Sequence, residues 1–103
     1  MSLRSDIVIG RHGSSTTGNI KNKTFTIVDE LAEHTVKKKN IASIQYSNPG
    51  FQHKDEIRLL NGDVLVGNVI DDPIILHEHS SDTDLAMHKN QVLAIMFGRE
   101  LDI

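Results

Sequence analysis

Residues 57–69 read IRLLNGDVLVGNV and carry the strongest structural signal in the chain. Asn61 and Gly62 lie between two runs rich in aliphatic residues, and an Asn-Gly pair supplies the positive φ angles that a tight type I′ hairpin turn needs. Gly67 interrupts the second run, where a missing side chain allows a bulge, a sharp bend or the close approach of another backbone. This stretch therefore predicts two antiparallel strands joined by a tight turn.

The spacing of these glycines occurs a second time in the first half of the chain. Gly62 follows Gly13 by 49 positions, and Gly67 follows Gly18 by the same distance. With a two-residue insertion within residues 79–84, apolar positions also align: Val8 with Ile57, Ile20 with Val69, Phe25 with Ile74, Ile27 with Leu76, Ile41 with Val92, Ile44 with Ile95 and Tyr46 with Phe97. A repeated, gapped pattern of glycines and β-forming residues indicates a duplicated structural unit.

The sequence thus predicts an all-β fold made of two tandem copies of one unit. The copies span residues 4–48 and 51–100, and each contains about five short, strongly bent strands. Because units of about 50 residues bury little apolar surface alone, we expect the copies to pack as one domain. In the second copy the predicted strands are residues 56–60, 64–70, 74–79, 85–88 and 92–97.

One segment of the first copy has a competing interpretation. Residues 29–39 (DELAEHTVKKK) contain helix-forming residues, and Asp29 suits a helix cap. The corresponding segment of the second copy contains Ser-Ser-Asp-Thr-Asp, which is typical of a hairpin loop. We therefore predict strand, loop and strand in both copies.

The composition is that of an ordinary globular protein and excludes several kinds of site. The 103 residues are 38% hydrophobic and 24% charged, and no apolar run approaches the roughly 18 residues that a membrane span needs. The absence of cysteine excludes disulfides, thiolate metal sites and a cysteine nucleophile. These features predict a cytoplasmic protein without a membrane partner, and no cofactor is expected.

Charge is distributed unevenly along the chain, whose net charge is -3. Residues 1–50 hold seven Lys/Arg against four Asp/Glu, which gives +3, whereas residues 51–103 hold four against ten, which gives -6. This asymmetry is explained by variation between solvated faces, by attraction between basic and acidic ends of different molecules, or by an anionic partner of the first copy.

Two stretches in each copy resemble motifs of the Sm-like small β-barrel family, and the second copy resembles in particular its bacterial RNA-chaperone members. Residues 57–69 are similar to the first motif, and residues 87–95 (MHKNQVLAI) and 36–44 (VKKKNIASI) are similar to the second. The resemblance implies small five-stranded barrels that close their sheet edges by joining the fourth strand of one barrel to the fifth strand of the next. We therefore expect self-association through strand edges.

The residues that would bind RNA in that family differ here. Pro73 and His77 stand where the resemblance implies an Asp and an Asn, and Thr24 and Val28 stand there in the first copy. The arginine of the second motif is replaced by a histidine or a lysine. If the chain binds RNA, the candidate residues are Lys37, Lys38, Lys39, His88 and Lys89. The alternative for the lysine run is a solvated edge strand that discourages unwanted pairing.

Two histidines form a candidate metal site. Residues two apart on a strand point to the same face, so His77 and His79 could present two imidazoles to one zinc or nickel ion. The alternative is one histidine on a half-buried face and one in solvent. The first copy has Val28 and Glu30 at these positions, so a function shared by both copies does not require the pair.

No arrangement of residues in the sequence points to catalysis. Arg11, His12 and Gly13 resemble the signature of histidine phosphatases, but that family has a larger, doubly wound α/β domain, and Gly13 already serves as the counterpart of Gly62. The sequence therefore predicts a non-catalytic binding or assembly module whose partner is a protein. The alternatives are an RNA-binding protein and a metal-binding protein that uses His77 and His79.

Overall fold

The computed structural model describes residues 2–3, 5–48, 50, 53–98 and 101–102. In chain order its strands are β1 (Ser2–Leu3), β2 (Asp6–Gly10), β3 (Ser15–Ile20), β4 (Thr24–Val28), β5 (Glu33–Lys37), β6 (Ile41–Gln45), β7 (Asp55–Leu59), β8 (Val64–Val69), β9 (Ile74–Glu78), β10 (Thr83–Met87), β11 (Val92–Met96) and β12 (Leu101–Asp102). Single 3-10 turns, Lys38–Asn40 and Lys89–Gln91, follow β5 and β10. The predicted limits of the copies at residues 4, 51 and 100 lie outside the described residues.

The all-β class is confirmed, and the strands lie within two residues of their predicted ends in the second half. The segment 29–39 is not an α-helix. β4 ends at Val28, Asp29 accepts hydrogen bonds from the backbone of Leu31 and Ala32 in a tight turn, and β5 follows. The 3-10 turn at Lys38–Asn40 was not predicted. Neither of the three-residue helical turns in the described part of the chain could cross a membrane.

Ten strands form one antiparallel sheet in the order β10-β9-β3-β2-β11-β6-β7-β8-β4-β5, while β1 pairs with β12 separately. The order is symmetric between the two halves of the chain. Each strand of the first half (β2 to β6) lies as far from one edge of the sheet as its counterpart in the second half (β7 to β11) lies from the other edge. The centre of this arrangement is the antiparallel pair β6 and β11, where Ile44 lies opposite Ile95. The sheet is not closed, so β5 and β10 are its edges. The described strands thus form one open sheet, and two separate small barrels stay a prediction.

The third strand of each half pairs with the opposite half. β3 pairs with β9, and β8 pairs with β4, whereas the five-stranded barrels that the resemblance implies would pair these strands within each copy. Two loops secure this exchange, because Asn22 accepts a hydrogen bond from the Ile75 amide (2.8 Å) and Asp71 accepts one from the Thr26 amide (2.6 Å).

Glycine makes the exchange possible by removing a side chain at each crossing. A Cβ at Gly67 would lie 2.5 Å from the carbonyl oxygen of Val28, and a Cβ at Gly18 would clash with the carbonyl oxygen of His77. Of the three roles that the sequence left open for these glycines, close backbone approach is the one observed. Gly13 and Gly62 are turn residues with φ of 87° and 96°. The predicted type I′ turn is wrong, because Asp82 is the only non-glycine residue with positive φ in the described part of the chain, so Asn61 does not adopt it. The turn instead closes with a hydrogen bond from the Gly62 amide to the Leu59 carbonyl.

The buried apolar side chains of both halves form a single cluster. Phe25 and Phe97, from opposite halves, pack edge to face with ring centroids 5.7 Å apart. The other buried members are Val8, Ile20, Ile27, Ile41, Ile44, Tyr46, Ile57, Val69, Ile74, Leu76, Val92 and Ile95. Each buried side chain of this size contributes roughly 1.5–3 kcal/mol to folding. The cluster thus ties the two exchanged halves together.

The strand order bears on the junction that the resemblance implied between molecules. The fifth strands, β6 and β11, are each paired on both sides: β6 with β11 and β7, and β11 with β2 and β6. A fourth-to-fifth junction therefore has no free fifth strand among the described residues. Within the ten-stranded sheet formed by the described residues, the strands with a free side are the two fourth strands, β5 and β10.

Candidate functional site

A buried ion pair fixes one of the candidate lysines in the first half. The carboxylate of Asp6 is fully buried and accepts hydrogen bonds from the amides of Ile20 and Gly98, both 2.8 Å long. Lys38 places its Nζ 2.9 Å from the same carboxylate and also donates to the Asn19 side chain and the Ile20 carbonyl. The lysine side chain is only 14% exposed.

The second half contains the same arrangement at corresponding positions. Asp55 accepts hydrogen bonds from the amides of Val69 (2.8 Å) and Ser47 (2.6 Å), and Lys89 lies 2.6 Å from its carboxylate. Lys89 also donates to the Asn68 side chain at 2.5 Å. Both carboxylates therefore join residues of the two halves, since Ser47 and Gly98 come from the half opposite the acid that they contact.

These contacts change the interpretation of two candidate RNA-binding residues. The ammonium groups of Lys38 and Lys89 point toward buried carboxylates, so these lysines hold strands together. This role was not predicted from the sequence. The signal was available, because Asp6 and Asp55 begin corresponding strands and the two lysines follow corresponding fourth strands. The prediction of an anion contact now depends mainly on Lys37 and its exposed neighbours.

A groove of about 600 Å³ lies beside Lys38. The end of β3, the β3–β4 loop and the turn after β5 form its walls, through residues 19–24 and 37–39. Four exposed lysines line it and have no ion pair among the described residues: Lys21, Lys23, Lys37 and Lys39. We call this feature the lysine groove.

The corresponding region of the second half does not have two lysines at the matching positions. Asp72 and His88 occupy the positions of Lys23 and Lys37, and their side chains form a hydrogen-bonded pair with a separation of 3.3 Å. Asp72 also accepts a hydrogen bond from the Lys89 amide at 3.1 Å. An acidic side chain is therefore hydrogen-bonded to a histidine in the second half, whereas two lysines face the same groove in the first.

His77 lies in a cluster of carboxylates at the β9–β10 hairpin. Its Nδ1 is 2.7 Å from Asp84, its cross-strand partner, and its Nε2 is 2.9 Å from Asp82 in the turn. Both ring nitrogens are thus engaged. His79 instead contacts the Ser5 hydroxyl at 3.5 Å. Within the described ranges, no group of three or more His, Asp or Glu side chains is arranged to hold a metal ion, so metal binding by His77 and His79 stays a prediction.

Hydrogen bonds that the imidazolium of His77 donates to Asp84 and then to Asp82 raise the pKa of His77 above its ordinary value of 6.5. Because the pKa is raised in the folded state, protonated His77 stabilises the hairpin below pH 6.5, and this contribution is lost as the pH rises through the folded-state pKa. In an NMR titration of the imidazole signals, we expect a His77 midpoint above 6.5 that falls in Asp84→Asn.

The matched control for this titration is Ser81→Ala, because Ser81 lies in the same loop and contacts Glu78 and Thr83 instead of His77. This variant should leave the His77 midpoint unchanged. A wild-type midpoint at or below 6.5, or one that Asp84→Asn does not lower, would contradict the geometry.

None of the described residues that line the lysine groove is aromatic. Phe25, Tyr46 and Phe97 are buried in the core, and Phe51 lies outside the described residues. Contacts to a ligand would therefore come from lysine ammonium groups and from backbone and side-chain amides. No protein-family model, no curated protein and no solved structure matches this chain.

Proposed function

We propose that this protein is a non-catalytic binding module that holds an acidic segment of a protein partner in the lysine groove. The observation that carries the proposal is a difference between the two halves. Lys23 and Lys37 line the groove of the first half, whereas the corresponding residues of the second half, Asp72 and His88, are hydrogen-bonded to each other. Like charges around one groove repel each other, and an anionic ligand relieves that repulsion. Lys21 and Lys39 extend the same positive surface.

A protein segment suits the groove better than a nucleic acid does. Single-stranded nucleic acids gain affinity from bases stacked on aromatic rings, and the described aromatic rings are buried. Residues 51–103 carry a net charge of -6, which repels a long polyanion that extends beyond the groove. A short acidic segment meets only the positive surface.

The duplicated architecture supports a role in binding for one half and a structural role for the other. We infer that the halves are copies of one small β unit, because Asp6 and Asp55 make matching contacts and the strand order is symmetric. The two copies then differ in the charge around the lysine groove of the first half and around the corresponding region of the second. RNA binding, which the resemblance to the Sm-like family implies, is the competing function, and the following experiment separates the two.

The test is fluorescence anisotropy with a labelled ten-residue poly-glutamate peptide and, in parallel, a labelled ten-nucleotide poly-uridine. We expect the peptide to bind in low salt and more weakly in high salt, and Lys23→Glu to weaken binding by about tenfold or more. Arg58→Glu is the matched control, because it makes the same change of charge at an exposed position outside the groove.

Three results would overturn the proposal. One is no peptide binding in low salt. Another is an equal loss in Lys23→Glu and Arg58→Glu, which would indicate a general effect of net charge. The third is tighter binding of poly-uridine than of poly-glutamate, which would favour the RNA-binding function in the same groove.

A further inference from the structure

The two edge strands of the sheet present unpaired backbone groups. Among the described strands, β5 pairs only with β4, and β10 pairs only with β9. No further backbone hydrogen bond from the described residues covers the free side of either strand. Such an edge is a template for another strand, and most proteins protect it.

The chain already contains a junction between two corresponding strands. β6 and β11 occupy corresponding places in the two halves and pair antiparallel at the centre of the sheet. β5 and β10 correspond in the same way at its two ends. A contact between them in different molecules would therefore repeat a type of strand pairing that the protein uses internally.

We propose that β5 of one molecule pairs antiparallel with β10 of a second copy of the chain, with Val36 opposite Leu85. This register keeps the apolar residues on one face, because Val36 lies opposite the buried Phe25 and Leu85 lies opposite the buried Leu76 within their own hairpins. A shift by one residue would move one set of side chains to the wrong face.

The same register makes the charges complementary. Lys37 comes opposite Asp84, and Glu33 comes opposite His88, all of them exposed. His77 contacts the Oδ1 atom of Asp84 and leaves Oδ2 without a hydrogen bond among the described residues. Opposite charges that face each other across strands, as Lys37 and Asp84 do in this register, stabilise the pairing. A shift by two residues in either direction separates Glu33 from His88.

Each molecule has one β5 edge and one β10 edge, so the contact is head-to-tail. Contacts of this kind extend into an open chain of molecules or close into a ring. Because each strand has only five residues, the contact is small, and we expect association that is weak and reversible. The junction does not involve Lys21 or Lys23 and does not depend on ligand binding in the lysine groove.

The test is sedimentation equilibrium over a wide range of protein concentration in low and high salt. We expect the average mass of the wild type to rise above 11.5 kDa with concentration and to fall again with salt. Lys37→Asp and Asp84→Lys alone should each weaken association by about tenfold or more, because each places like charges opposite each other. A mixture of the two variants should associate again, since the introduced aspartate of one variant faces the introduced lysine of the other.

The controls are Lys21→Asp and Asp63→Lys, which make the same changes of charge away from both edges and should associate like the wild type. Recovery of association in the mixture also shows that the two single variants are folded. Lys21→Asp separates this proposal from the proposed function, because it removes a groove lysine and leaves both edges intact.

Three outcomes would overturn the proposal. The first is a wild type of 11.5 kDa at every concentration. The second is normal association of Asp84→Lys, which would indicate a symmetric contact between two β5 strands, where Glu33 meets Lys37. The third is a mixture of the charge-reversed variants that stays monomeric.

Discussion

Replacement of Asp55 with alanine is expected to lower the free energy of unfolding by about 3–5 kcal/mol, because it removes one partner of a buried ion pair. The carboxylate is 1% exposed and accepts hydrogen bonds from two backbone amides as well as from Lys89. Its loss leaves the amides of Ser47 and Val69 without a partner and the lysine ammonium without a counter-charge. Folded domains of this size are stable by only about 5–15 kcal/mol.

Urea unfolding followed by circular dichroism measures this effect. Asp63→Ala is the matched control, because Asp63 is exposed in the β7–β8 turn and should cost much less. Asp55→Ala combined with Lys89→Met removes both charges, and we expect the pair of substitutions to cost less than the sum of the single ones. A loss below about 1 kcal/mol in Asp55→Ala would show that the pair contributes no more than an exposed salt bridge.

Gly67→Ala is expected to destabilise the protein by about 3 kcal/mol, which is the upper end for forcing extra atoms into a packed interior. The added Cβ would lie 2.5 Å from the Val28 carbonyl oxygen and 3.2 Å from the Ile27 side chain. Because the close contact is with backbone, relief requires the separation of β8 from β4. That separation would open the crossing between the two halves.

Gly10→Ala is the matched control for this substitution. A Cβ at Gly10 would meet the Ser14 hydroxyl at 2.9 Å, and the hydroxyl can rotate away. We expect Gly10→Ala to lower the free energy of unfolding by less than about 1 kcal/mol. Alanine reduces the conformational entropy of the unfolded chain, which offsets part of the loss. Equal unfolding midpoints for Gly67→Ala and the wild type would rule out the close approach of the two strands.

The sequence predicted the elements whose cause is local. The Asn61-Gly62 pair specifies a tight turn because glycine accepts a positive φ, and the observed φ of Gly62 is 96°. Runs of aliphatic and β-branched residues specify strands because their side chains pack on a pleated surface. Comparison with the corresponding segment of the second half correctly excluded an α-helix at residues 29–39, where a turn is followed by β5, but it did not predict the 3-10 turn after that strand.

Most of the candidate site was hidden from the sequence because its contacts join distant residues. The lysine run was visible as a run of charge, but only the fold directs Lys38 to a carboxylate 32 positions earlier (38 minus 6) and leaves Lys37 beside an open groove. Likewise, His77 was visible as a histidine near acids, yet only the hairpin aligns Asp82 and Asp84 with its two nitrogens.

What the sequence determined by itself is the all-β class, the turns and the positions of the strands, because these depend on neighbouring residues. What only the tertiary structure decided is which strands pair. Gly18 and Gly67 permit close approach of any backbone, and the alignment of the halves is equally compatible with strands paired within a half or across halves. The hydrogen bonds of Asn22 with Ile75 and of Asp71 with Thr26 select the exchanged arrangement, because they form only when the third strand of each half lies against the opposite half.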